Sequence, residues 1–264
     1  MSVGEVCPMD CGMILLYPYW RGGVNEFSFL LMIGGGLGLW RVSRQRELQW
    51  LDGAILTILC ALIGARLGYV LINLAYFREV PEEILQFWLG GLSAPGALIG
   101  GLLGIGVASL LFRVSYLRMS DRLYPLLPPL AVSCWLGCWL AGCAYGAVAQ
   151  PGWLGVPAPD EAGWMTWRVP VQPLAALSLI VFYALMEALI PIPRPSGWLS
   201  SLALAWLTLV NLVASLFRAD PIPVWNHFRI DTWVYLGLEL LFLSCFTILH
   251  FTAHRHSRGK QANV

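Results

Sequence analysis

Residues 54–72, AILTILCALIGARLGYVLI, determine the fold class, because this long apolar run carries a single charged side chain, that of Arg66. A helix needs about 20 mainly apolar residues to cross the hydrocarbon core of a bilayer. The whole chain has a similar composition: 58% of its 264 residues are hydrophobic, 12% are charged, and the mean hydropathy is +0.69. Soluble domains of this length are less apolar. The sequence therefore predicts an integral membrane protein.

Seven apolar runs predict an all-α membrane protein with about seven transmembrane helices. These runs occupy residues 24–40, 51–77, 84–112, 123–148, 174–192, 198–217 and 233–251. The chain then divides into an outer N-terminal segment (1–23), a transmembrane domain (24–251) and a basic tail (252–264).

The distribution of basic residues predicts the orientation, because short loops rich in Arg and Lys stay in the cytoplasm. The loops on one side hold the larger basic set: Arg41, Arg44, Arg46, Arg113, Arg118, Arg122, Arg194, Arg255, Arg258 and Lys260. The opposite loops hold Arg21, Arg78, Arg168, Arg218 and Arg229. We therefore expect the N-terminus outside and the C-terminus in the cytoplasm.

Two stretches are too rich in Gly or Pro for a plain helix: residues 89–101, LGGLSAPGALIGG, and residues 121–129. Broken backbone at membrane depth is tolerated where it is buried in protein or lines a cavity. The sequence predicts a broken glycine-rich segment and a buried cavity near residues 90–101. A net charge of +1, without a basic stripe, gives no reason to expect nucleic-acid binding.

Four motifs follow one another along the chain: GARLGY at 64–69, GGLS at 90–93 followed by GG at 100–101, GCWLAGCAYG at 137–146, and PVQ at 170–172. In order and spacing they resemble the prolipoprotein diacylglyceryl transferase family. The resemblance implies seven spans in the bacterial cytoplasmic (inner) membrane. It also implies transfer of diacylglyceryl from phosphatidylglycerol to the lipobox cysteine of a lipoprotein precursor, without a metal or cofactor.

The resemblance indicates candidate lipid-binding residues for an anionic phospholipid, although it identifies no catalytic residue. These candidates are Arg66, Gly91, Ser93, Gly96, Tyr145, Gln172 and Arg218.

The chain departs from the family at ionisable motif positions. Pro95 stands where the family has a histidine, and Trp135 and Asn211 stand where it has arginines. Cys138 and Cys143 replace an asparagine and a glutamate, although a cysteine-containing motif, GCFLAGCCYG, also occurs in the family. Loss of one donor that stabilises a developing negative charge typically costs about 3 kcal/mol or more. We therefore predict weakened or lost transfer.

Arg66 lies within the second predicted span, where a charge costs about 3 kcal/mol unless it finds a partner. A phosphate can accept two parallel guanidinium hydrogen bonds. One hypothesis is that Arg66 holds a lipid phosphate in a cavity beside residues 90–101. The alternatives are an ion pair with Glu187 or Glu239, or snorkelling to the interface.

Two further clusters have both a functional and a structural interpretation. Arg218, Asp220, His227, Arg229 and Asp231 share one outer loop and could bind a headgroup, although pairing within a solvated loop is favoured. The cysteines of the third motif could serve metal or redox chemistry, although packing is favoured. The three are Cys138 and Cys143 of this motif and Cys134 just before it. Separately, Cys7 and Cys11 could form an outer disulfide.

Two functional hypotheses follow from the sequence. The first is a divergent, lipid-binding member of the family with weakened or lost transfer. The second is a non-catalytic accessory subunit of a larger membrane complex, in effect a pseudoenzyme. A transporter ranks last, because transporters usually carry internal repeats and this chain has no detectable repeat.

Overall fold

The computed structural model describes residues 26–86, 90–152, 155–160, 163–189 and 194–261. The predicted N-terminal segment and the Cys7–Cys11 disulfide lie outside these residues. The α-helices are α1 (Glu26–Ser43), α2 (Leu48–Ile72), α3 (Leu74–Glu79), α4 (Ala94–Leu111), α5 (Tyr116–Leu123), α6 (Leu127–Ala141), α7 (Val171–Leu189), α8 (Trp198–Phe217) and α9 (Ile230–Gln261). The strands are β1 (Val156–Pro159), β2 (Met165–Arg168), β3 (Val224–Trp225) and β4 (Phe228–Arg229).

The predicted all-α membrane fold is confirmed. Six described helical segments are long and apolar enough to cross a membrane: α2, α4, α5 with α6, α7, α8 and α9. Helix α1, with 18 residues, packs along α6 but is not among these six. The seventh span and the orientation therefore stay predictions.

The closest helix contact joins α2 and α4 through small residues. Gly96, Gly100 and Gly104 recur at every fourth position of α4 and therefore lie on one face. A Cβ added at Gly100 would lie 2.9 Å from the Gly64 Cα, and one at Gly104 would lie 2.9 Å from the Thr57 Cα. The two backbones touch, as is common between membrane helices that meet through small residues.

The break in the glycine-rich segment is shorter than expected. Only Gly90–Ser93 are non-helical in the described part of residues 89–101, with φ of +91° at Gly90 and +72° at Gly91. Helix α4 starts at Ala94, with Pro95 in its first turn, where a missing N–H costs nothing. The glycines at 96 and 100 pack against the backbone of α2, and a cavity near residues 90–101 stays a prediction. The second irregular stretch is confirmed as a 3₁₀ turn, Tyr124–Leu126, between α5 and α6.

Two large apolar clusters form most of the core among the described residues, and a smaller one joins α8 to α9. One lies among α6, α7 and α8 and contains Trp135, Leu179, Tyr183 and Leu207. The other joins α1, α2, α4 and α5 and contains Val42, Trp50, Ala108 and Met119.

Short extended segments form a cap over one end of the bundle, which we define as residues 143–152, 155–160, 163–169 and 218–229. Strands β1 and β2 pair antiparallel, and β3 and β4 form a second hairpin. Residues 145–149 lie between the end of α8 and the residue that follows β2. Ala147 N donates to Phe217 O (2.8 Å), and Val169 N donates to Ala147 O (3.0 Å). The cap therefore ties the ends of α6 and α8 to the start of α7.

Gly100→Ala should destabilise the protein, whereas the adjacent Gly101→Ala should not. Alanine favours a helix over glycine by about 1 kcal/mol, but at position 100 its methyl group would strike the α2 backbone. Such overpacking typically costs about 1–3 kcal/mol. At position 101 the nearest atom outside α4 is the Ala61 Cβ, 3.7 Å away. Thermal unfolding in detergent measures both variants, and equal midpoints would contradict the backbone contact.

Candidate functional site

Arg66 lies near the end of α2 and binds the backbone that precedes α4. Its Nε donates to Ile84 O (2.9 Å), and one terminal nitrogen donates to Glu83 O (2.5 Å). The other terminal nitrogen donates to Gly90 O (2.7 Å) and Gly91 O (3.1 Å). The guanidinium also lies 5.3 Å from the centre of the Phe77 ring. Arg66 therefore fixes the segment that leads into α4.

The sequence-predicted residues Arg66, Gly91, Ser93 and Gly96 are brought together at this point. Ser93 N donates to Ala65 O (2.9 Å), and its Oγ caps α4 by accepting from Gly96 N (3.3 Å). A Cβ added at Gly91 would meet the Tyr69 ring and Arg66. The first two family motifs therefore form one interlocked unit.

The predicted carboxylate partners of Arg66 lie elsewhere. Glu187 forms an ion pair with Arg41, which joins α7 to α1. Glu239 is buried and accepts from the Thr208 hydroxyl (2.5 Å), which joins α9 to α8. The prediction of an Arg66 ion pair with either glutamate is therefore wrong, and backbone carbonyls take their place.

Gln172 and Tyr145 link the third and fourth motifs in the cap. The Gln172 amide is 2% exposed and donates to Cys143 O (2.9 Å). The Tyr145 backbone carbonyl accepts from Ala219 N (2.9 Å), next to Arg218. These three predicted residues, Tyr145, Gln172 and Arg218, therefore form a second group, at the α6, α7 and α8 ends.

Arg168 is a site residue that the sequence did not single out. Its guanidinium lies over the Tyr145 ring at 4.5 Å and pairs with Asp160 (3.2 Å). The side chain is buried, and its Nε has no hydrogen-bond partner among the described atoms. Its position two residues before the fourth motif, PVQ at 170–172, was the available signal.

Arg218, Asp220, Arg229 and Asp231 form an alternating ion network at the cap. Arg218 holds Asp220 in a bidentate pair (2.8 and 2.6 Å) and lies 3.5 Å from Asp231. Arg229 contacts the same two carboxylates, at 3.0 Å and 3.1 Å. The expected pairing within the loop is confirmed, but the loop is not solvated there: these side chains are between 2% and 12% exposed.

The network shifts the pKa values of Asp220 and Arg218 in the directions that keep these two groups charged. Burial alone would raise the pKa of Asp220, but the hydrogen bonds and charge of Arg218 outweigh it, and Arg229 adds to this effect. The pKa of Asp220 is therefore lowered. Burial alone would lower the pKa of Arg218, but Asp220 outweighs it, so that pKa is raised.

Three of the positions that depart from the family carry no ionisable group: Pro95, Trp135 and Asn211. Trp135 is 6% exposed and belongs to the apolar cluster of α6, α7 and α8. Leu98 of α4 packs against the same cluster. The Asn211 amide donates to Leu207 O of its own helix (2.8 Å). Pro95 is buried in the first turn of α4. Trp135 and Pro95 are therefore packed inside the protein, and Asn211 is hydrogen-bonded within its own helix.

Acid should weaken the folded protein through Asp220. Its pKa is lower when folded than in the unfolded chain, where it is about 3.9. The stabilisation is therefore present above the unfolded pKa and is lost as the pH falls below about 4, through the folded pKa. We expect Asp220→Asn to lower the unfolding midpoint at neutral pH and to flatten its fall with acid. The exposed Glu79→Gln control should follow the unmodified chain, and parallel curves for Asp220→Asn would contradict this role.

Comparison with known proteins gives one family. Residues 21–249 match the model of the family described as prolipoprotein diacylglyceryl transferase. Three relatives bear the name phosphatidylglycerol–prolipoprotein diacylglyceryl transferase. The Bordetella avium protein is 33% identical over 73% of this chain and 74% of its own length. The Azoarcus sp. protein is 25% identical over 91% and 92%.

The third relative, from Thermosynechococcus vestitus, is 28% identical, and its match spans 51% of this chain and about half of its own length, 53%. The family match extends well beyond that stretch and includes all four motifs. The chain therefore belongs to the prolipoprotein diacylglyceryl transferase family and is a multi-pass protein of the bacterial inner membrane.

Proposed function

We propose that this chain is a divergent family member that binds an anionic phospholipid but has lost the transfer of diacylglyceryl to a lipobox cysteine. The names of its relatives supply the two substrates, phosphatidylglycerol and a prolipoprotein. The observation that carries the proposal is the burial of Trp135 in an apolar cluster.

The transfer chemistry requires fixed donors for the departing phosphate, because charge develops on its oxygens as the bond breaks. An arginine at position 135 would supply a charged, planar set of donors. Tryptophan supplies one neutral N–H and fills the space with a large apolar ring. Its burial in the apolar cluster that α6, α7 and α8 form supports a packing role.

The transfer also needs a thiolate, because the thiol itself is a weak nucleophile. The family histidine is absent from position 95, where Pro95 has neither a titratable group nor a backbone donor. The arginines that remain already have acceptors: Arg66 binds four carbonyls and Arg218 binds two carboxylates. These contacts stabilise the chain itself.

Lipid binding is supported at the start of α4. The four Arg66 hydrogen bonds leave one of the five guanidinium N–H donors for a phosphate oxygen. Gly90 and Gly91 have left-handed φ values, and a Cβ added at Gly90 would meet none of the described atoms within 4 Å. The α4 N-terminus adds a favourable dipole for an anion. A phosphate could therefore approach this segment closely.

A role as an accessory subunit is the second candidate. The hairpin of β3 and β4 exposes Val224 (64%), Trp225 (64%) and Phe228 (48%). The buried ion network holds the base of this hairpin through Arg229. An apolar tip on a rigid base favours contact with a partner or with the membrane interface. Stoichiometric copurification of another membrane protein would support the subunit role.

Complementation tests the loss of transfer. We expect this chain, expressed in a bacterial host depleted of its own transferase, not to restore growth or lipoprotein maturation. The Bordetella avium relative is the positive control, and membrane insertion of both proteins is checked by blotting. Restored growth with the unmodified chain would overturn the proposal.

Native mass spectrometry tests lipid binding at Arg66. We expect Arg66→Leu to lose bound phosphatidylglycerol and Arg66→Lys to retain less than the unmodified chain, because an ammonium lacks the planar fork of donors. Arg78→Leu, at an exposed arginine of α3, is the matched control and should keep its lipid. Full lipid retention by Arg66→Leu would contradict lipid binding by Arg66 and would leave it only the role of fixing the backbone before α4.

A further inference from the structure

Three cysteines form a contiguous cluster at the cap end of α6. Cys134 and Cys138 lie one turn apart on the helix, and Cys143 follows its end. The Cys138 thiol lies close enough to the thiols of Cys134 and Cys143 to interact with both. All three are half-buried. The proposed lipid-binding role does not use this cluster.

The backbone holds Cys143 over Cys138. Gly142 ends the helix in the left-handed region (φ +68°), and Cys143 N donates to Cys138 O (3.0 Å). The Cys143 carbonyl is fixed in turn by the buried Gln172 amide. Ala144 also has a left-handed φ, +54°, which favours glycine and is strained for alanine. The local chain is therefore shaped to hold the Cys143 backbone beside the Cys138 carbonyl.

Disulfide geometry favours the pair Cys138 and Cys143. A disulfide needs its Cβ atoms about 3.5–4.5 Å apart. Cβ atoms one helical turn apart are about 5–6 Å from each other, which disfavours a bond between Cys134 and Cys138. Cys143 lies beyond the helix end and is free of this constraint. The described residues also contain no group of His, Cys, Asp or Glu that could hold a metal ion, so thiol chemistry suits the cluster better.

Charged and polar groups surround the cluster. The Arg218 guanidinium and the Tyr235 hydroxyl both interact electrostatically with Cys134. Tyr235 is fully buried, and its hydroxyl has no hydrogen-bond partner among the described atoms. The environment is therefore more polar than that of cysteines that only fill space.

We propose that Cys138 and Cys143 form a reversible disulfide by thiol–disulfide exchange with a disulfide-bearing compound. The Cys143 thiolate attacks one sulfur of that compound, forms a mixed disulfide and releases the first thiol. The Cys138 thiolate then attacks the Cys143 sulfur, which closes the internal disulfide and releases the second thiol. The compound gains two electrons and the two protons that the cysteines lose. Cys134 keeps its thiol.

Differential alkylation of the full chain in lipid nanodiscs tests this proposal. A background with Cys7→Ser and Cys11→Ser removes the two cysteines that the sequence predicts could form a disulfide with each other. The protein is equilibrated in oxidised and reduced glutathione buffers, quenched with acid, denatured and labelled, and each cysteine peptide is quantified by mass spectrometry. We expect Cys138 and Cys143 to become protected together with one two-electron midpoint, while Cys60, Cys134 and Cys245 stay reactive.

Single variants separate exchange from simple burial. We expect Cys138→Ser to trap a mixed disulfide of Cys143 with one glutathione, because the attacking thiol is absent. Cys245→Ser, at a thiol on α9, is the control and should leave the midpoint unchanged. The proposal is overturned if Cys138 and Cys143 are still labelled at the most oxidising glutathione ratio in the background without a further substitution. This outcome does not depend on how the single variants fold. Protection that a chelator reverses would also overturn it.

Discussion

The backbone contact between α2 and α4 is the constraint on which the site depends. Because Gly64, Gly96 and Gly100 have no side chains, the two helices approach until their backbones touch. This approach places the start of α4 beside the end of α2, where Ser93 N reaches the Ala65 carbonyl. Arg66 can then reach four carbonyls of the preceding segment. The glycines thus stabilise helix packing and also position the one arginine within the second span.

Ion pairs within the chain neutralise the buried arginines of the cap. Arg168 pairs with Asp160, and Arg218 and Arg229 share Asp220 and Asp231. Buried ion pairs do not guarantee a net gain in stability, because desolvation offsets much of the attraction. Their effect here is positional: they fix the cap and the ends of α8 and α9. A cap whose cations are already paired suits a protein that holds a lipid or a partner better than one that stabilises a departing phosphate.

The sequence predicted the helices better than it predicted their contacts. Residues 198–217 coincide with α8 because Gly197 and Arg218 bound a continuous apolar run. The glycine-rich segment was harder, because the same glycines suit a broken backbone or a close helix contact, and only the position of α2 decides between them. The partners of Arg66 are backbone carbonyls, which no sequence pattern marks. The burial of Arg218 and its neighbours depends on how the cap folds, so the sequence indicated pairing but not enclosure.

The central claim is that the family scaffold persists here while its transfer chemistry has gone, with Trp135 packed at a position where the family has an arginine. The most direct measurement follows glycerol phosphate release by the purified chain in vesicles that contain phosphatidylglycerol and a lipobox peptide, beside the Azoarcus sp. relative. The account predicts release by the relative and none by this chain above the protein-free rate. Release by this chain at a rate comparable to that of the relative, with lipid attached to the peptide thiol, would contradict it.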